Sequence, residues 1–230
     1  MPTILFASSK GGVSKSTSAV VLGSQLAVRG ASVTIIDADP NRPVQAWAKR
    51  PGKPETLTVQ SNVSEATIIE DIEAAERRTA FVIVDVEGTA SMTVAYAISR
   101  ADLVIIPVQG SQLDAAEAAK AIKLIRQQER AFARRIPFAV LLARTSAAIR
   151  PRTLQHIRAE LTEAGVPILE TQMHEREAFR AIFSFGGTVE GLRADQVGGL
   201  DGAIGNARAL AAEVVATLKA VQAAGQGRAA

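Results

Sequence analysis

Short apolar runs alternate along the whole chain with longer segments of helical periodicity. The apolar runs predict strands over residues 3–7, 32–37, 56–60, 81–85, 103–108, 137–143 and 167–171. The periodic segments predict helices over residues 16–29, 65–78, 113–133, 152–164, 175–183 and 203–223. Several strands are apolar throughout, which is typical of parallel strands covered on both faces. The alternation predicts an α/β fold, a doubly wound and mainly parallel sheet flanked by helices.

The same pattern shows no repeat and no linker that would divide the chain. We therefore expect a single domain over residues 1–223 and a flexible tail of small and polar residues over 224–230. No apolar run approaches the roughly 20 residues that a membrane span needs. We expect a cytoplasmic protein without membrane contact.

Composition narrows the chemistry. The chain has 230 residues with 47% hydrophobic and 4% aromatic residues, which suits helices packed on an aliphatic sheet. It contains no cysteine, so disulfides, thiolate metal sites and a cysteine nucleophile are excluded. The net charge of +3 points to nucleic acid only if the positive charge is clustered.

A glycine-containing segment joins the first predicted strand to the first predicted helix. Residues 8–17 read SSKGGVSKST. Glycines let backbone amides approach an anion, and the helix N-terminus adds its dipole. Lys15 is placed to reach the β- and γ-phosphates of a nucleotide, and Ser16 to ligate Mg²⁺. Ser14 stands where the strict phosphate-loop pattern has glycine, so an ordinary glycine-rich turn stays open as the alternative.

Acidic residues follow two predicted strands. Asp37 and Asp39 leave the second strand and enter a turn at Pro40, and Asp85 follows the apolar residues 81–84. Carboxylates at strand ends near a phosphate loop can hold Mg²⁺ and position an attacking water. The alternative for the first pair is that Asp37 or Asp39 caps a helix.

In combination, these segments resemble the ParA/MinD family of ATPases. The segment Lys10-Gly11-Gly12-x-x-Lys15-Ser16 is similar to the family's deviant Walker A motif, residues 37–40 to its D-x-D-P segment and residues 81–85 to its Walker B strand. Residues 101–114 resemble the strand and loop that follow Walker B. Prolines that most members carry after the Walker B aspartate are replaced here by Val86-Glu87-Gly88.

The resemblance implies roles for individual residues. Lys10 is the signature lysine that reaches the partner's nucleotide across a dimer, Asp39 orients the attacking water, and Asp37 supports it near the metal. Lys10, Lys15 and Asp39 are the expected catalytic residues, and Mg²⁺ is expected near Ser16, Asp37, Asp39 and Asp85. The residues expected to bind ATP are Lys10, Gly11, Gly12, Val13, Ser14, Lys15, Ser16, Thr17, Arg144 and Met173.

Residues 41–43, Trp47 and the segment 173–179 are most similar to a small subgroup that includes plasmid-partition ATPases and the ParA-like ATPase of T-DNA transfer. The resemblance implies a weak, Mg²⁺-dependent ATP hydrolase that dimerises with ATP, binds DNA without sequence preference and is stimulated by a ParB-like centromere-binding protein. Such a protein is nucleoid-associated. An accessory ATPase of conjugative or T-DNA transfer is the alternative, and a MinD-like positioning ATPase is less favoured because residues 203–223 carry few basic residues.

A basic segment offers a candidate DNA surface. Between Arg130 and Arg158 there are seven arginines and no Asp or Glu. Such a cluster suits phosphate contact without base recognition, although a solvated charged face is the alternative. One member, Arg144, ends a predicted strand and is assigned to the nucleotide. The expected DNA contacts are Arg130, Arg134, Arg135, Arg150, Arg152 and Arg158.

Overall fold

The structure, a computed structural model, describes residues 1–88, 91–149 and 151–226. Within these residues, seven strands form one parallel sheet in the order β3-β2-β4-β1-β5-β6-β7. The strands are β1 (Thr3–Phe6), β2 (Val33–Ala38), β3 (Leu57–Gln60), β4 (Phe81–Val86), β5 (Leu103–Val108), β6 (Phe138–Thr145) and β7 (Met173–His174). The doubly wound α/β fold predicted from the sequence is confirmed.

Helices cover both faces of this sheet. They are α1 (Lys15–Val28), α2 (Pro43–Ala48), α3 (Ile68–Glu76), α4 (Met92–Arg100), α5 (Gln112–Ala131), α6 (Arg152–Glu163), α7 (Glu177–Phe185) and α8 (Leu200–Gln226), with a 3-10 turn at Val189–Gly191 before α8. In β1, Ile4 and Phe6 pack with α1, α7 and α8, whereas Leu5 faces the core shared with α3 to α6. The strands are apolar throughout because successive side chains enter different cores.

Strand register brings the acidic strand ends together. Asp37 of β2 pairs with Asp85 of β4, and Asp85 also lies opposite Phe6 of β1, just before the glycine-containing loop. Parallel strands end at one edge of a sheet, which is where ligands of doubly wound folds bind. The fold therefore delivers both acids and the loop to one place.

Three elements differ from the sequence prediction. Helix α2 begins after Arg42, which takes a left-handed φ of 50°, with Pro43 in its first turn. Helix α4 is capped by Ser91, whose hydroxyl accepts the Val94 N–H at 3.3 Å. Both helices are short, and the periodicity did not reveal them. The predicted strand over 167–171 is reduced to one bridge between Val140 and Ile168, and β7 follows it.

The final helix runs further than its pattern predicted. Helix α8 continues to Gln226, so residues 224–226 of the expected tail are helical, and 227–230 lie outside the described residues. None of the helices in the described part of the chain has the length and apolar character that crossing a membrane requires.

Candidate functional site

A cavity of about 570 Å³ opens where β1, β2 and β4 end. One end is formed by the loop before α1, with Gly11, Gly12 and the residues Ser14 to Thr17. The other end is formed by β7 and the start of α7. Besides these loop residues, the cavity is lined by Asp39, Asn41, Glu87, Gly88, Arg144, Met173, His174, Glu175, Arg176, Phe179 and Arg180.

The loop before α1 has the backbone of an anion site. Gly12 has a φ of 76°, and Ser14, which caps α1, has a φ of 73° in the left-handed region that favours glycine. The free amides and positive dipole end of α1 therefore face the cavity. Val13, which was predicted to bind nucleotide, is buried beneath the loop with 2% of its surface exposed.

Gly88 ties the end of β4 to this loop. A Cβ at position 88 would lie 2.6 Å from the Gly11 nitrogen and 2.7 Å from the Lys10 carbonyl carbon. Any side chain here would collide with the backbone of the loop. Gly88, two residues beyond the end of β4, thus lies in direct backbone contact with the loop.

Lys15 is buried at the centre of the site. Its Nζ donates to the Lys10 carbonyl oxygen at 3.3 Å. Burial lowers the pKa of Lys15, and the negative charges of Asp85, Asp39 and Glu87 oppose that shift. The ammonium group is therefore surrounded by acids at the loop end of the cavity, where an anionic phosphate would meet it.

Asp85 carries the most perturbed carboxyl group of the site. It is fully buried, and neither of its oxygens has a hydrogen-bond partner among the described residues. Burial raises the pKa of Asp85 to about 7, although the Ser16 hydroxyl and the Lys15 charge act in the opposite direction. The negative charges of Asp37 and Asp39 raise it further. Such a carboxylate gains most from a cation.

Asp37 and Asp39 occupy different places. Asp37 is buried, and its Oδ2 caps α2 by accepting the Gln45 N–H at 2.8 Å. Its Oδ1 is also buried but has no hydrogen-bond partner in the described residues. Burial raises the pKa of Asp37. Asp39 lies at the cavity rim, where its Oδ1 accepts the backbone and side-chain N–H groups of Asn41 at 2.8 and 3.0 Å.

These groups fit a magnesium ion bound with a nucleotide. Mg²⁺ prefers oxygen ligands and is held by one or two carboxylates together with substrate phosphates. Ser16 and Asp39 line the loop end of the cavity and supply such donors. Asp85, which is buried next to the Ser16 hydroxyl, and its strand neighbour Asp37 add orphaned carboxyl oxygens. No cluster of three or more His, Cys, Asp or Glu side chains with metal-binding geometry occurs in residues 1–88, 91–149 and 151–226.

Lys10 has an intramolecular partner. Its Nζ lies 2.8 Å from Oδ1 of Asp114, in the first turn of α5, and Asp114 also binds the hydroxyl of the helix cap Ser111. Burial alone would raise the pKa of Asp114, but the hydrogen bonds from Lys10 and Ser111 outweigh it and lower that pKa. The side chain of Lys10 is directed to this aspartate, and 43% of it is exposed.

The far end of the cavity is rich in cations. Arg144 has a left-handed φ of 54° at the point where the register between β6 and β7 shifts, and this bulge directs its guanidinium to Glu175 at 3.0 Å. Arg180 binds the same Glu175 oxygen at 3.0 Å. Met173 lines the cavity, and its sulfur accepts a hydrogen bond from Ser18 of α1 at 3.1 Å.

The predicted DNA-contacting arginines do not form one patch. Arg130 and Arg135 lie at or just after the end of α5, at the edge of the sheet opposite the cavity. Strand β6 then carries the chain to the cavity edge, so Arg152, at the start of α6, lies on the cavity side. Arg134 donates to the carbonyls of Ser99 and Ala101 at 2.6 and 2.7 Å, and Arg158 pairs with Glu170. Arg150 lies outside the described residues.

Sequence reasoning missed several residues of the site. The S-x-x-D pattern of Ser111 to Asp114 indicates a helix start, yet nothing local indicates that Asp114 binds Lys10. Gly88 was noted only as part of a departure from the family pattern. Arg176 lies in the segment 173–179, where nothing local indicates its partners. Its contacts come from α8, which is distant in sequence.

Comparison with known proteins identifies relatives of this chain. A family model described as VirC1 protein matches residues 1–194. Protein ParA of Rhizobium radiobacter is 45% identical over 211 residues, covering 92% of this chain and 95% of that protein. Protein virC1 of Rhizobium radiobacter is 30% identical over 187 residues, covering 79% of this chain and 80% of that protein.

Two solved structures share the fold. The MinD cell division protein of Aquifex aeolicus has a TM-score of 0.68 and 18% identity, covering 93% of this chain and 98% of that one. A plasmid partition protein of Borrelia burgdorferi bound to AMPPNP has a TM-score of 0.63 and 17% identity, covering 89% and 97%. At these identities the likeness shows that the chain shares their fold.

Proposed function

The chain belongs to the VirC1 family, and from this premise we propose that it is a ParA-type DNA-partitioning ATPase. It binds Mg²⁺ and ATP in the cavity at the carboxyl edge of the sheet, dimerises with ATP bound, and binds DNA without sequence preference. The observation that carries the proposal is the juxtaposition of Lys15 and the α1 N-terminus, at one end of that cavity, with the buried Asp85, whose charge acts on Lys15. The relative named ParA supports the same assignment.

The geometry supports a division of roles in ATP hydrolysis. The loop amides and Lys15 bind the phosphates, and Ser16 and Asp85 hold Mg²⁺, which neutralises charge on the transferring phosphoryl group. Asp39, at the rim and fixed by Asn41, orients the attacking water. The γ-phosphate then acts as the ligand that keeps the dimer closed, and its loss releases DNA.

Lys10 supplies a cation to the partner's nucleotide in this proposal. In the single chain it binds Asp114 at 2.8 Å, so dimerisation must exchange this ion pair for contact with phosphate. Because Lys10 exchanges one charge-assisted hydrogen bond, to Asp114, for another, to phosphate, the net free-energy cost of the exchange is small. Hydrolysis is slow in the absence of a ParB-like protein, which accelerates it.

The test measures binding to random-sequence DNA without nucleotide, with ADP and with a slowly hydrolysed ATP analogue. We expect binding and a doubled molar mass with the analogue alone, and loss of both in Lys10→Ala. Lys123→Ala removes an equal charge from the exposed face of α5 and serves as the control. ATP turnover should fall at least tenfold in Asp39→Ala. Equal DNA binding in all three nucleotide states would contradict a nucleotide-gated clamp.

An accessory ATPase of DNA transfer is the second candidate. It is favoured by the VirC1 family model and by the 30% identity to virC1. Both candidates use the same nucleotide site and differ in the protein partner. Stimulation of ATP turnover by a ParB-like protein encoded nearby supports partition, whereas stimulation by a relaxase encoded nearby supports transfer.

A further inference from the structure

Glu87 is an acidic residue of the cavity to which the roles given above assign no task. It directly follows β4, within the Val86-Glu87-Gly88 segment that departs from the family pattern. Its side chain is partly buried and lines the cavity, and its negative charge acts on Lys15. Glu87 therefore lies at the loop end of the cavity, where the phosphates of a nucleotide would bind.

The backbone holds Glu87 from both sides. Val86 is fully buried and pairs with Ala38 of β2 at the end of the strand. Gly88 lies against the loop before α1, where a Cβ would come within 2.6 Å of the Gly11 nitrogen. Glu87 is thus fixed between the sheet and the loop, so its place at the cavity follows from two backbone contacts.

Strand register places Glu87 beside Asp39. Ala38 and Val86 are paired, and the next residue of each strand is an acid that lines the cavity. Neighbouring strands lie about 4.8 Å apart, so side chains that follow a paired position can bind one small ligand between them. The charges of both acids also act on Lys15. The two carboxyl groups therefore lie near the same phosphate-binding lysine.

The two carboxyl groups differ in the partners that they already have. Asp39 uses its Oδ1 to accept both N–H groups of Asn41. Glu87 forms no ion pair and no side-chain hydrogen bond with any residue that the structure describes. A carboxylate without a partner can accept a hydrogen bond or a proton from a ligand. Glu87 is therefore the freer acceptor of the two.

We propose that Glu87 is a catalytic residue of ATP hydrolysis that accepts the proton lost by the attacking water. A water molecule has two O–H groups and can donate one to Asp39 and the other to Glu87. Two acceptors fix the orientation of the water, so that an oxygen lone pair faces the γ-phosphate. This inference rests on the proposed nucleotide site and adds a second acid to its hydrolytic step.

The step is balanced without any further reactant. The water oxygen bonds to the γ-phosphorus while the bond from that phosphorus to the β,γ-bridging oxygen breaks, and the electron pair of the broken bond leaves with ADP. One water proton passes to Glu87 and the other stays on the new phosphate. The products are ADP and hydrogen phosphate, and Glu87 returns its proton to solvent.

The first test separates catalysis from binding. Glu87→Gln keeps the size of the side chain but cannot accept the proton, so kcat should fall about 100-fold at saturating ATP and Mg²⁺. Its Kd for a slowly hydrolysed ATP analogue, measured by calorimetry, should stay within about twofold of the wild-type value. Glu87→Asp restores a carboxylate on a shorter stem and should recover part of the rate. Glu163→Gln, at the exposed end of α6, is the control with wild-type kcat.

Three results of this test would overturn the proposal. A wild-type kcat in Glu87→Gln would mean that the carboxylate is merely solvated. Recovery of kcat at higher Mg²⁺ concentration would mean that Glu87 acts on the metal instead of the water. A loss of analogue affinity as large as the loss of kcat would mean that Glu87 contributes to binding.

The second test asks whether Glu87 and Asp39 act on the same water. The variant that combines Glu87→Gln with Asp39→Asn should be about as slow as the slower single variant, because one water is already lost to either change. Losses that multiply would contradict a shared water. Light scattering gives a readout other than turnover. With ATP, Glu87→Gln should keep the doubled molar mass that wild type keeps only with the analogue.

These experiments also separate the two proposals. Wild type that binds the analogue and hydrolyses ATP, together with an equally active Glu87→Gln, refutes the role of Glu87 alone. Wild type that binds neither ATP nor the analogue refutes the proposed nucleotide site and this inference with it.

Discussion

Ser14 and Asp85 are residues whose local state is unfavourable without a ligand. Ser14 adopts a φ of 73°, which costs a non-glycine residue roughly 1 kcal/mol. Asp85 is a buried carboxyl group with two orphaned oxygens. Both lie beside the amides of the α1 N-terminus. Strain and unpartnered charge of this kind concentrate at functional sites, where a ligand compensates for them.

The raised pKa of Asp85 predicts a specific pH dependence of stability. The folded protein binds this proton more tightly than the unfolded chain, so the stabilising contribution is complete below pH 4 and is lost as pH rises through about 7. Without nucleotide or metal, the free energy of unfolding of Asp85→Asn relative to wild type should rise by about 3 kcal/mol from pH 5 to pH 8. Urea denaturation at the two pH values measures it.

An exposed carboxylate provides the control for that experiment. Glu163→Gln, which removes an exposed carboxyl group at the end of α6, is measured at the same two pH values. A constant difference between Asp85→Asn and wild type would mean that Asp85 titrates normally in the folded protein.

At the scale of elements, α8 replaces a strand in supporting the segment before β7. Glu213 of α8 accepts the N–H groups of Glu170 and Thr171 at 2.6 and 2.7 Å, and Asn206 binds on both sides of Met173. The main chain therefore stays extended with few strand hydrogen bonds. This explains why the apolar pattern over 167–171 predicted a strand where the structure has one bridge.

Removing this support should loosen the far end of the cavity. Glu213→Ala leaves two main-chain N–H groups without their acceptor and should lower the free energy of unfolding by about 1–2 kcal/mol. Glu213→Gln retains one carbonyl acceptor and should lower the free energy of unfolding by about half as much. Lys219→Ala, on the exposed face of the same helix, should have no effect. Denaturant titrations of the three variants compare them, and equal losses in all three would reject the role of Glu213.

At the scale of the whole molecule, the basic segment after α5 is divided between two ends of the sheet. Arg130 and Arg135 lie at the edge away from the cavity, and Arg152 lies at the cavity edge. Arg134 binds the last carbonyls of α4, where a cation also complements the helix dipole. The guanidinium groups of Arg134 and Arg158 are already in use, so we expect DNA contact from Arg130, Arg135 and Arg152.

Salt dependence tests which arginines meet phosphate. With the ATP analogue bound, Arg130→Ala, Arg135→Ala and Arg152→Ala should each reduce the slope of log affinity against log salt by about 0.9. Arg158→Ala, which removes a guanidinium paired with Glu170, should leave the slope unchanged. The affinity is measured on one random-sequence duplex at four salt concentrations. An unchanged slope in all three variants would place the DNA surface elsewhere.

The sequence by itself determined the α/β alternation, the parallel sheet and the loop end of the site. Each of these depends on residues that are adjacent along the chain: an apolar strand followed by glycines and Lys15, or a strand followed by Asp85. Strand ends of a parallel sheet meet at one edge, so the order of elements already brings these groups together. The short helices α2 and α4 span six and nine residues, and an apolar pattern over so few residues does not separate a helix from other structure. Their start depends on the backbone at Arg42 and on the cap at Ser91.

Only the tertiary structure decided which distant side chains meet. Lys10 and Asp114 are 104 positions apart, and their ion pair exists because α5 begins beside the loop before α1. Arg176 lies against Gly202 because α8 packs behind β7. The arginines that are close together in sequence are separated because β6 carries the chain across the sheet. The apolar periodicity of the sequence indicates which face of a helix or strand is buried. Which side chains from distant segments meet depends on how the helices and strands pack.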